Sequence, residues 1–73
     1  MNYEITVYEN ESKVKVSVTN GQWTSEREYK YRSYGFGRMT NRYNDSPQVF
    51  IIEIENGGEA EFNLNNISTI IYN

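Results

Sequence analysis

The apolar residues of this chain recur at every second position, and no stretch of about a dozen residues carries an apolar stripe at helical spacing. Successive side chains of a strand point to opposite faces, so this period belongs to a half-buried sheet and the chain is read as all-β. Tyr3, Ile5 and Val7 share one face of a first strand, Tyr3 to Tyr8. Val14, Val16 and Val18 share one face of a second, Lys13 to Val18, with Lys13, Lys15 and Ser17 outward. Asn10-Glu11 fits a two-residue loop between them. Asn20-Gly21 tolerates the positive φ of a type I′ turn. Pairing Thr19 with Gln22 across it sets Lys15 against Glu26 and Lys13 against Glu28, as cross-strand charge complementarity prefers. That register places Trp23 beside Val18 on the inner face, followed by Ser25, Arg27, Tyr29 and Tyr31.

After the single Pro47, Phe50, Ile52 and Ile54 share one face of a strand from Gln48 to Glu55, and Ala60, Phe62 and Leu64 share one face of the next. An Asn56-Gly57-Gly58 loop, with Gly58 left-handed, sets Ile54 against Ala60 and Ile52 against Phe62. A last strand runs from Ile67 to Tyr72. The expectation is one β domain over residues 1–73, an antiparallel barrel or strongly curved meander of five to six short strands. Tyr34 to Ser46 is the long irregular stretch, and it defines a functional loop segment of about residues 33–47. At 73 residues the core is small, so association into a homo-oligomer or ligand binding is expected.

Several functions are excluded by what the chain lacks. It has no Cys and no His, which removes disulfides, thiolate zinc sites and histidine acid–base chemistry. The N-terminal Met-Asn-Tyr-Glu-Ile-Thr has no basic region followed by an apolar one, and no apolar run is long enough to span a bilayer. A soluble, cytoplasmic protein without membrane association is expected. The acids fall mostly on outer faces or in turns, where nothing raises a carboxyl group toward neutrality, so no enzyme is expected; no cofactor is expected, and no metal, because flat strand faces rarely supply six converging oxygens.

Charge is distributed unevenly. Arg27 to Tyr43 holds Arg27, Lys30, Arg32, Arg38 and Arg42 against Glu28 alone, a net +4, whereas the remainder is net −7. The same segment holds Tyr29, Tyr31, Tyr34, Phe36 and Tyr43. Rings interleaved with guanidinium groups supply what a nucleotide needs, a π-face for the base and a planar fork for the phosphate. Tyr31, Tyr34 and Phe36 are the expected stacking residues, and Arg32, Arg38 and Arg42 the expected phosphate ligands. Gly35 and Gly37 would let backbone N–H groups approach a ligand. The plain alternative is that Tyr and Arg cover one end of a barrel, with Arg methylenes on the rings. A long DNA duplex is disfavoured, because the acidic remainder repels a polyanion.

A second cluster is acidic: Glu53 opposite Glu61 and Glu55 opposite Glu59 would set four carboxylates on one exposed face. Solvent, the Arg-rich segment of the same chain, that segment of a neighbouring subunit, or a divalent cation could offset them.

In its shortness, its Asn- and Tyr-rich β composition and the string Tyr29-Lys30-Tyr31-Arg32-Ser33-Tyr34-Gly35-Phe36-Gly37-Arg38, the chain resembles the small counter-defence proteins that bacteriophages encode. Within that group, proteins that sequester cyclic oligonucleotide signals use aromatic stacking, Arg–phosphate contacts and pockets between subunits; others block host nucleases by direct contact. The resemblance implies non-catalytic sequestration or occlusion. The leading expectation is therefore a binding protein for a small anionic nucleotide-type ligand. The rival is a protein-binding inhibitor using the same surface, and a third reading is an assembly subunit in which the Arg segment meets the Glu patch.

Overall fold

The computed structural model describes residues 1–38 and 48–73. The elements follow the period-two pattern: β1 (Asn2–Tyr8), β2 (Lys13–Thr19), β3 (Thr24–Arg38), β4 (Gln48–Ile54), β5 (Glu59–Asn63) and β6 (Ile67–Tyr72), with short 3₁₀ turns at Glu9–Glu11 and Leu64–Asn66. They form one sheet in the order β5-β4-β3-β2-β1-β6. The architecture is an all-β curved meander. Its two outermost strands are not bonded to each other, so the sheet is open and the closed-barrel alternative is not realised. Among the described residues no helix is long and apolar enough to cross a membrane.

The 15-residue β3 organises everything else. Its first half pairs with β2 through Thr24 to Lys30, and its second half pairs with β4 through Tyr31 to Arg38. Two wings therefore hang from one strand, β2-β1-β6 on one half and β4-β5 on the other. Between them lies a β-bulge, where Tyr31 faces Ile54 but Ser33 faces Glu53, leaving Arg32 as the extra residue. A bulge bends and twists its strand, and here the wings fold onto each other until Tyr3 of β1 meets Phe62 of β5, ring centroids 5.0 Å apart. Ile5, Val7, Val14, Val16, Phe50 and Ile52 form the buried cluster between the wings, every one an inner-face residue of the alternation.

The strand faces stand as read, but two of the three predicted hairpin registers are slid by two residues. Between β2 and β3 the connection is four residues, Asn20 to Trp23, so Thr19 faces Thr24 and Lys15 faces Glu28. The cause is the Asn20 side chain, whose Oδ1 accepts from the N–H groups of Gln22 (3.1 Å) and Trp23 (3.2 Å). This side-chain turn replaces the two-residue type I′ geometry and leaves only Gly21 at positive φ (95°). Trp23 thereby leaves the inner face for the turn, where it is 50% exposed. The complementary charges survive as diagonal pairs, Lys13–Glu28 at 3.6 Å and Lys15–Glu26 at 3.9 Å. Between β4 and β5, Ile54 N–H donates to Gly58 O (3.0 Å) and Glu55 N–H to Lys30 O (2.9 Å). Glu55 is thus held to β3, the loop closes one residue early, and Ile52 faces Ala60 and Phe50 faces Phe62. In the first hairpin the register holds, with Tyr8 facing Lys13. There the left-handed residue is Ser12 (φ 51°) rather than either loop-centre residue, since Glu11 is poorly suited to that region.

Two further expectations are corrected. Four pairings are antiparallel, but β6 runs parallel to β1, Ile5 facing Ile70 and Val7 facing Tyr72. The Leu64–Asn66 turn, capped by Asn63 Oδ1 accepting from Asn65 N–H (2.9 Å), carries the chain round a corner without reversing it. It delivers β6 to the far wing, as strands that switch sheets do at corners. The second correction concerns the loop expected over about residues 33–47: residues 33–38 belong to β3, and residues 39–47 lie outside the described residues.

Candidate functional site

The bulge at Arg32 decides where each expected site residue goes. Before it, odd-numbered residues of β3 face inward; after it, even-numbered ones do, so Tyr29, Tyr31, Tyr34 and Phe36 line one face in succession. Tyr31 and Tyr34 are half-buried and meet edge to face, centroids 5.0 Å apart. Tyr34 also leans on Phe50 (5.8 Å) and Tyr72 (6.3 Å). Phe36 stands edge-on to Phe50 (5.4 Å) yet is 55% exposed. Arg32 points to the opposite face, where its Nε lies 3.7 Å from Glu53 Oε2. The rings expected to stack and the Arg32 expected to neutralise phosphate are thus on two sides of the sheet. Arg38 ends β3 opposite Gln48, and Arg42 and Tyr43 lie outside the described residues.

The glycines of the segment are ladder residues: Gly35 faces Ile51 and Gly37 faces Val49. A Cβ on Gly37 would stand 2.8 Å from Ile51 Cδ1, so the missing side chain makes room for the neighbouring strand rather than for a ligand. The acidic patch is also divided. With the register slid, Glu53 faces Glu59, Glu61 faces Ile51, and Glu55 enters the turn. Of the ways to offset these carboxylates, the chain uses its own Arg-rich segment at Arg32–Glu53, an exposed pair of a kind worth about 0–1 kcal/mol. Among the described residues no three acids converge into a metal-binding group.

Tyr34 is fixed by more than its ring contacts. Its hydroxyl donates to Glu9 Oε1 at 2.8 Å, tying β3 to the first turn. That bond, aided by desolvation, pushes the phenol up to about 12. The folded protein holds this proton more tightly than the unfolded chain does. The contribution to stability is therefore complete below the ordinary tyrosine pKa of about 10 and disappears as pH rises through about 12. Tyr34→Phe is expected to flatten the fall of Tm across that window; thermal melts of the two proteins against pH read it.

Two hollows remain. One, of about 210 Å³, lies over Gly35 and is edged by Ser33, Ile51 and Glu53, so it presents a carboxylate. The other, of about 290 Å³, opens where the two wings meet and is lined by Tyr3, Val16, Val18, Ser25, Arg27, Tyr29 and Phe62, with Glu26 at its margin. Phe62 forms its wall, edge to face with both Tyr3 (5.0 Å) and Tyr29 (6.3 Å). Glu26 turns its carboxylate toward Lys15 on the outer face. Arg27 alternates inward opposite Val16, is exposed, and has no carboxylate within ion-pair distance among the described residues. This hollow joins two expected residues, Arg27 and Tyr29, to two that sequence reasoning placed only in the core, Tyr3 and Phe62. The missed signal was the curl that brings β5 over β1. No family model, curated protein or solved structure matches the chain, so the meaning of this hollow rests on its geometry.

Proposed function

We propose that this protein is a non-catalytic binding domain that sequesters, in the cytoplasm, a small anionic ligand with a flat ring, of nucleotide type, and that Arg27 holds its anionic group. The observation that carries this reading is a guanidinium that has no carboxylate partner among the described residues, at the rim of an aromatic-walled hollow. A planar fork suits phosphate, and the Tyr29, Tyr3 and Phe62 rings suit the edge or face of a base. The volume, about 290 Å³, is at the lower end of small-molecule sites, so one nucleotide unit is accommodated rather than a whole cyclic oligonucleotide. Among the described residues the one carboxylate at the margin is engaged by Lys15 and no other base faces the hollow, which supports sequestration over catalysis. The resemblance to phage counter-defence proteins gives such sequestration a purpose.

Isothermal titration with 5′-mononucleotides and cyclic dinucleotides tests the reading. Arg27→Ala is expected to weaken binding by about tenfold or more, the loss of one charge-assisted hydrogen bond, while Arg32→Ala on the other face leaves it unchanged. No binding by any nucleotide, or equal losses in the two variants, would sink it. The rival, a protein-binding inhibitor, is favoured by the exposed rings of Trp23 and Phe36, residue types that anchor interfaces. It predicts a host protein complex that survives Arg27→Ala and is lost with Phe36→Ala.

A further inference from the structure

A sheet that does not close leaves edges, and the edges of this one are unequal. Among the described residues the unpaired edges are the far sides of β5 and β6 and one side of each half of β3. Proteins protect such edges with charge. The first half of β3 carries Glu26, Arg27, Glu28 and Lys30, its second half Arg32 and Arg38, and β5 carries Glu59 and Glu61. β6, Ile-Ser-Thr-Ile-Ile-Tyr, carries no charge and no proline. It also exposes apolar surface, Ile71 at 48% and Tyr72 at 52%.

Its backbone is set for pairing. Asn73 turns both of its backbone groups to the β1 side, N–H to Val7 O (2.8 Å) in β1 and O to the N–H of Glu9 (3.4 Å) just beyond its end. Strand alternation then aims the N–H and C=O of Ile70 and Tyr72 at the open side. These are strong donors and acceptors whose natural partner is another strand.

We propose that β6 pairs, antiparallel across a two-fold axis, with the β6 of a second copy of this chain, joining two six-stranded sheets into one. Charge selects the occupant. Self-pairing of β6 opposes no like charges, whereas self-pairing of β5 would bring carboxylates together in a chain that is already net −3. A two-fold contact of this kind is isologous and closes, so it yields a dimer and not a filament. The dimer covers Ile71 on one face of the sheet and Tyr72 on the other. It replaces the Arg-segment-to-Glu-patch contact as the route to association, and it is independent of the ligand reading because Arg27 is on the far side of β2 and β1.

Sedimentation velocity across a concentration series, with amide hydrogen exchange on the same samples, tests this. The full chain is expected to dimerise, and the Ile70 and Tyr72 amides to become more protected as concentration rises. Ile71→Lys, a surface change on the outer face, is expected to weaken the dimer by about tenfold or more, because two ammonium groups meet near the axis. Glu61→Lys on the other edge is expected to leave it intact. A monomer at millimolar concentration would overturn the proposal, as would a dimer that is lost with Glu61→Lys but kept in Ile71→Lys. Concentration-independent exchange at Ile70 and Tyr72 in the unaltered protein would overturn it without reference to any variant.

Discussion

Phe50→Ala is expected to remove about 3–5 kcal/mol, most of the stability available to a chain of this size. Domains hold roughly 0.05–0.15 kcal/mol per residue, which for 73 residues is roughly 4–11 kcal/mol in all. Phe50 is fully buried at the centre of the cluster between the wings. It is also the residue on which the aromatic face of β3 rests, with Tyr34 at 5.8 Å and Phe36 at 5.4 Å between centroids. Truncation leaves a void that neighbours cannot fill without bending β4, which is paired on both sides. Phe36→Ala removes a ring that is 55% exposed and is expected to cost much less, about 1 kcal/mol. Urea unfolding followed by far-UV circular dichroism compares the two. Equal midpoints for Phe50→Ala and Phe36→Ala would show that the cluster between the wings is not what holds the sheet curled.

The faces of the strands were legible because period two is a local property. Ile5, Val7, Val14, Val16, Phe50 and Ile52 were all assigned inward from alternation alone, and all six are the buried cluster. Registers were not legible to the same degree. A dipeptide such as Asn20-Gly21 is compatible with more than one turn, and the choice fell to the Asn20 side chain, which bonds to two backbone N–H groups. Because the slips are of two residues, the side chains that stay in the strands kept their faces and only their partners changed, whereas Trp23 passed from the inner face to the turn. The long strand β3 was hidden by its own bulge. Tyr29, Tyr31, Tyr34 and Phe36 are spaced two, three and two apart, which breaks strict alternation and reads as the start of a loop. The same spacing is what one inserted residue produces when the aromatic face is continuous. For the site, net charge along the segment is blind to which face each guanidinium takes. Arg27 and Arg32 count equally in the +4, yet one borders the hollow and the other pairs with Glu53 behind the sheet. The parallel seating of β6 had no local signal, since it depends on the corner at Leu64–Asn66.

Deleting Lys30 is expected to destabilise the protein by about 2–3 kcal/mol more than deleting Arg32, although both are exposed basic residues two positions apart in one strand. Arg32 is the extra residue of the bulge. Without it the ladder becomes regular, Tyr31 still faces Ile54, Ser33 still faces Glu53 and Tyr34 still faces Ile52, so no side chain changes face. Lys30 is a ladder residue opposite Lys13 whose carbonyl accepts from Glu55 N–H (2.9 Å). Its loss is absorbed by the same bulge, but at the expense of moving Tyr31 to the outward position and turning Arg32 inward against Ile54. The edge-to-face contact of Tyr31 with Tyr34 is broken, and a guanidinium takes the place of a half-buried ring. Both deletions flatten the bend and both remove one positive charge, so those costs cancel in the comparison and the difference reports the exchange of the inward ring for a guanidinium. Urea midpoints multiplied by a shared m-value give it directly. If the two deletions cost the same, the inward row from Tyr29 to Phe36 is not maintained by the bulge, and the geometry that places Arg27 beside Phe62 loses its cause.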